Sequence, residues 1–222
     1  MSRARSILKA IRKKRNNVNP LDLQYFVYAD DGVGLYIEPY LYSQQIAHLS
    51  FGESIELASL DFRYSFRYKW YKTIYKGVTA YISEKWIGHF PVPNSSESLE
   101  RYVERLRNLN YGVEMEIYQW NDRYEVKVLF PSTNMREIFL IVTQFYPIDF
   151  KFPKPSNKME EIMTKIDDDN DIYEEFEITR NREGDIIMID YVADYGNSSD
   201  SITIRKRSDN KILLSMGNYC QE

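Results

Sequence analysis

Cysteine and histidine are nearly missing from this 222-residue chain. The single cysteine, Cys220, excludes an internal disulfide framework and any multi-cysteine zinc site. Two histidines, His48 and His89, leave little room for histidine-based catalysis. A glycine-rich phosphate loop, a nucleophile elbow and a metal-binding histidine pair are all lacking. Gly32-Val33-Gly34 has neither the third glycine nor the helix that a dinucleotide fingerprint needs. Carboxylates abound, but no pattern singles out the pair that a glycoside hydrolase requires. The chain therefore reads as a non-enzyme without cofactor or metal. No run approaches the roughly 20 apolar residues of a membrane-spanning helix, so no membrane span is expected. No apolar stretch follows the N-terminal charges as a secretory signal would require, which favours a cytoplasmic location.

What is present is a globular composition, 43% hydrophobic and 28% charged, with a mean hydropathy of −0.52 that is not that of a disordered chain. The net charge of −4 is unevenly spread. Residues 1–19 carry +7 and no acid, residues 20–93 carry −2, and residues 94–222 carry −9. A basic arm thus precedes an acidic body. In the arm Ile7, Leu8 and Ile11 form one apolar edge, but a helix this short is marginal in water. Nucleic-acid binding, if any, would rest on this arm. Asn16-Asn17-Val18-Asn19-Pro20 breaks the chain before the first domain.

Residues 20–93 predict a small β-barrel. Short β-branched and aromatic runs fall at Tyr25–Tyr28, Gly34–Ile37, Ile46–Leu49, Ser54–Leu60, Lys69–Tyr75 and Thr79–Ile82. Lys76-Gly77 supplies a hairpin turn. The order Tyr28-Ala29, Gly34-Leu35-Tyr36-Ile37, Pro39, Ser43, Ile46, Leu49, Gly52-Glu53, Ile55, Leu57, Trp70-Tyr71-Lys72, Gly77, Tyr81-Ile82 and Trp86-Ile87 resembles a bacterial Src-homology-3-like domain. The resemblance implies a closed barrel that binds a protein or, if the chain is exported, a cell-wall peptide. The stretch from Asp61 to Tyr68 alternates aromatic with polar residues, and Tyr64, Arg67 and Tyr68 are its candidate partner-binding residues.

Residues 94–222 predict an α+β body, possessing either one sheet or two subdomains at 94–152 and 158–222. Asn94…Glu97, Asn134…Glu137 and Asn157…Glu160 each place an asparagine three residues before a glutamate, as helix caps do. Apolar stripes follow each: Leu99, Tyr102, Val103, Leu106, Leu109; Met135, Ile138, Phe139, Val142, Phe145; and Met159, Ile162, Met163, Ile166. They predict about three helices. Val113–Ile117 and Tyr124–Phe130 alternate as a hairpin, and four later runs predict a meander. The fold class expected is therefore α+β: a barrel followed by helices on an antiparallel sheet.

Lys158 to Asp200 holds fourteen acidic and four basic residues. Asp167-Asp168-Asp169-Asn170-Asp171 opens like a calcium loop, but Ile172 and Ile178 stand where that loop needs Gly and Glu. The acids instead suggest a face for a basic partner, with Asp167, Asp169 and Asp171 as candidate contacts. Two functions follow as expectations. One is a non-catalytic bacterial scaffold that binds protein through the Src-homology-3-like module. The other is an immunity-type inhibitor that neutralises a basic toxin through its acidic C-terminal face.

Overall fold

β-Branched and aromatic residues crowd the sequence on both sides of Pro93, and both halves fold as strands. The computed structural model describes residues 24–29, 31–65, 68–120, 123–146, 148–167 and 172–220. The basic arm, Arg67, Asp169 and Asp171 lie outside the described residues. The chain divides into one unit at Met1–Val92 and another at Pro93–Glu222.

The first unit contains β1 (Gln24–Val27), β2 (Val33–Tyr36), β3 (Gln45–Leu49), β4 (Ser54–Ser65), β5 (Tyr68–Tyr75), β6 (Val78–Ser83) and β7 (Ile87–Gly88). They form one antiparallel sheet in the order β3-β2-β6-β5-β4-β1-β7. At the β5–β6 turn Lys76 and Gly77 have φ of 48° and 81°. Two consecutive positive values mark the type I′ turn that matches strand twist. One face buries Val27, Val33, Leu35, Leu49, Ile55, Leu57, Ala80, Ile82 and Ile87. Trp70 is also buried, edge-on to Tyr36 with ring centroids 5.7 Å apart. It pairs with Ser83 while its neighbour Tyr71 pairs with Ile82, so Trp70 lies on the opposite side of the sheet from that core.

The closed barrel expected here does not form, because the terminal strands β3 and β7 do not pair. β7 is only two residues long and is followed by Pro91 and Pro93. Proline has no amide to donate to a ladder, so the strand ends before it can close the sheet. The lengthened segment after Leu60 continues β4 to Ser65 and pairs with β5, which makes a long hairpin of it.

The second unit contains α1 (Leu99–Asn108), β8 (Glu114–Gln119), β9 (Arg123–Phe130), α2 (Met135–Val142), β10 (Glu160–Asp167), β11 (Ile172–Arg180), β12 (Ile186–Asp194), β13 (Ser198–Lys206) and β14 (Ile212–Cys220). Its seven strands form one antiparallel sheet in the order β10-β11-β12-β13-β14-β9-β8. α2 packs on β13 and β14, and α1 reaches β8. α2 is capped by Asn134, whose side chain accepts from the Glu137 amide at 3.3 Å. α1 begins later than its first capping signal. Ser98 caps it, while Asn94 and Glu97 close a turn of their own in front, the Asn94 amide donating to the Glu97 carboxylate at 3.1 Å. Arg105 grips that carboxylate at 2.9 and 2.7 Å and holds the Glu97 acid below its usual range.

The third helix expected after Asn157 is replaced by a strand. Met159, Ile162, Met163 and Ile166 have helical spacing, but Ile162, Thr164 and Ile166 also alternate and are β-branched. A continuous ladder from Glu160–Thr179 to Asp167–Ile172 satisfies the backbone, and the segment becomes the edge of the sheet. Arg180, almost fully buried, pairs with Glu161 at 3.5 Å and donates to the Lys154 carbonyl at 2.9 Å, which fastens this edge. The α+β class is corrected accordingly. Among the described residues the protein is mostly β, with two α-helices and two open antiparallel sheets. No helix among them is long and apolar enough to cross a membrane.

Candidate partner-binding face

Strand alternation sorts the acid-rich segment onto two sides of the second sheet. Phe176 and Ile178 on β11, Ile189, Tyr191 and Ala193 on β12, and Ile202 and Ile204 on β13 are buried on the side that faces the core. The residues between them occupy the other face. Cross-strand register there gives three rows: Ile162–Glu177–Asp190–Thr203, Thr164–Glu175–Val192–Ser201, and Ile166–Tyr173–Asp194–Ser199.

The half of this face formed by β10, β11 and β12 is both acidic and apolar. Ile162 and Ile166 are 62% and 65% exposed, and Val192 and Tyr173 are also exposed. Glu175, Glu177, Asp190 and Asp194 stand on β11 and β12 beside them, and no outward position on these three strands is basic. Glu177 stands directly opposite Asp190, and neither forms an ion pair among the described residues. Like charges in direct cross-strand register are unfavourable. Tyr173 donates to Glu175 at 2.7 Å, a bond that raises the tyrosine pKa above its ordinary value. The first cation met across the face is Arg205 on β13, whose guanidinium lies 3.1 Å from the Met188 sulfur.

A second polar cluster sits on the core side, at the end of β9, β13 and β14. Tyr124, Tyr146, Asp200 and Asn218 line a cavity of about 200 Å³ there. Asn218 donates to Asp200 at 2.6 Å, Tyr195 donates to the other oxygen at 3.5 Å, and Tyr124 donates to Glu100 at 3.2 Å. Burial first, then the charges of Glu100 and Asp200, push Tyr146 up to about 12. Burial also pushes the Glu100 acid upward, but hydrogen bonds from its own amide, Ser98 and Tyr124 outweigh it and hold it below the usual range. The Glu100 carboxylate is thus held below its usual range beside Tyr124 and Tyr146, whose phenols are held above theirs.

The residues singled out in the sequence fall in three places. Tyr64 is 68% exposed on the first unit's hairpin, packed edge-on to Phe62 at 5.1 Å. Tyr68 lies across from Ser65 with the Lys85 ammonium 5.4 Å from its ring centre. Asp167 pairs with Ile172, one residue out of phase with Ile166, so it lies on the other side of the sheet from the acidic–apolar face. The residues missed were Glu175, Glu177, Asp190, Val192, Ile162 and Ile166. Alternation of Glu175 and Glu177 with Phe176 and Ile178 carried the signal for the first two. Among the described residues no group of three or more His, Cys, Asp or Glu could hold a metal ion. No known protein family, curated protein or solved structure matches the chain.

Proposed function

We propose that this is a non-catalytic binding protein whose second unit presents the β10–β12 face to a basic protein partner. The observation that carries the reading is the Glu177–Asp190 pair, two like charges in register that form no ion pair among the described residues, set next to exposed Ile162 and Val192. A cation from a partner would relieve the repulsion and complete the row. Exposed isoleucines along the edge strand beside a row of unpaired acids give a partner both apolar area and charge to recognise. An inhibitor that covers the basic active site of a toxin is the class this pattern fits. Charge would then steer the encounter, and the isoleucines would hold the complex.

A second reading rests on the first unit, where Leu60, Phe62 and Tyr64 are exposed along the β4–β5 hairpin. Exposed aromatics in a row also serve as anchors for a partner. The two readings separate by site-specific photo-crosslinking in the native host, with the crosslinking residue placed at Val192, Ile162 or Tyr64. Capture of one and the same basic protein at Val192 and Ile162 supports the acidic face. Capture only at Tyr64, or capture of acidic proteins at Val192, overturns it.

A further inference from the structure

Beyond β12 the outer face of the second sheet changes chemistry. Ser199, Ser201 and Thr203 on β13 and Ser215 and Gly217 on β14 replace the acids and isoleucines, and with Trp120, Arg123 and Tyr219 they line a cleft of about 430 Å³. That volume falls in the range of small-molecule sites, roughly 300–1,000 Å³. We propose that this cleft binds a small organic anion: a polar ring that carries one carboxylate or phosphate.

Each part of that ligand meets a feature of the cleft. The Arg123 guanidinium lies 4.7 Å from the centre of the Tyr219 ring and takes no carboxylate partner among the described residues. This contact with the ring face leaves the guanidinium N–H groups for an oxyanion, which a guanidinium can receive through two parallel hydrogen bonds. Glu125 also lines the cleft, but its charge is met by Lys127 at 3.0 Å, which leaves Arg123 as the lining charge without an ion-pair partner among the described residues. The hydroxyls of Ser199, Ser201, Thr203 and Ser215 have no hydrogen-bond partner among the described residues, and each can donate or accept. They suit the ring's hydroxyl or carbonyl groups. Trp120, half exposed, is held flat by stacking on Tyr118, with centroids 5.9 Å apart and planes at 10°. It offers a rigid platform for the ring face. Gly217 keeps the floor open, since a Cβ there would stand 3.2 Å from the Ser201 hydroxyl.

The ring could belong to a sugar acid or to a nucleotide, and calorimetric titration of the full chain distinguishes them. The probes are D-glucuronate and uridine 5′-monophosphate, each against its neutral counterpart, glucose or uridine. Saturable binding of either anion, about tenfold or more tighter than its neutral counterpart, is expected, as charged hydrogen bonds contribute that much. Arg123→Gln should remove this preference, and Gly217→Ala, which leaves every charge in place, should weaken binding by narrowing the floor. Far-ultraviolet circular dichroism and the thermal midpoint check that both variants fold. No saturable binding of either anion overturns the assignment. So does equal affinity for the neutral ligands, or an Arg123→Gln protein that binds as the wild type does.

Discussion

Replacing Asp190 by Asn tests the repulsion at the centre of the proposed face. Glu177 and Asp190 are directly opposed across β11 and β12. Opposed side chains in an antiparallel pair have Cβ atoms about 5 Å apart. Two unit charges at that distance repel by about 0.8 kcal/mol in a water-like dielectric. Measured cross-strand pair effects of roughly 0.2–1 kcal/mol agree with this size. Removing one charge should therefore stabilise the isolated protein by a few tenths of a kcal/mol to about 1 kcal/mol. For a unit of this length that raises the thermal midpoint by roughly 1–4 °C. The gain should shrink in 1 M salt, where the Debye length is only about 3 Å. The assay is thermal unfolding followed by circular dichroism at 0.02 M and 1 M salt, with Glu177→Gln and the double variant closing a cycle. A lower midpoint for Asp190→Asn, or a gain that is independent of salt, would refute the reasoning. A residue that costs stability when the protein is alone, and is kept for a partner, should show both signatures.

Trp70 is buried, and its indole N–H has no partner among the described residues. Trp70→Ala should cost about 3–5 kcal/mol, read from the denaturation midpoint, whereas Trp70→Phe should cost much less because it also removes an unsatisfied donor worth about 1–3 kcal/mol. Equal losses for the two variants would contradict this. Tyr146 has a folded-state pKa raised to about 12, so its contribution is fully present below the ordinary tyrosine range and is lost as pH rises through the folded value. Stability should therefore fall between about pH 10 and 12, and Tyr146→Phe should flatten that part of the profile in denaturant titrations.

Much of the strand pattern could be read directly from residues. The runs at Tyr25–Tyr28 and Lys69–Tyr75 coincide with β1 and β5 to within a residue, and the run at Ser54–Leu60 is the first part of β4, which continues to Ser65. Asn134 caps its helix because its side chain reaches the Glu137 amide, a purely local event. Two outcomes depended on long-range pairing and could not be read locally. Residues 160–167 satisfy a helical and a strand period together, and only the partner β11 decides between them. Whether the first sheet closes depends on strand ends far apart in sequence, and the brevity of β7 settled it. The site followed the same division. A count of acids pointed to this segment, but it assigned Asp167 to one face without the register that sends Glu177 and Asp190 to one side of the sheet and Asp167 to the other.

The central claim is that charge on the β10–β12 face brings a basic protein to this one. It is tested most directly by association kinetics of the partner captured at Val192, measured by surface plasmon resonance from 0.05 M to 1 M salt with wild type, Glu177→Lys and Tyr64→Ala. Steered association slows steeply with ionic strength. The account predicts an on-rate that drops by about tenfold or more across that range, a salt dependence much reduced in Glu177→Lys, and kinetics for Tyr64→Ala close to wild type. A flat salt profile, with the loss concentrated in the off-rate of Tyr64→Ala, would contradict it.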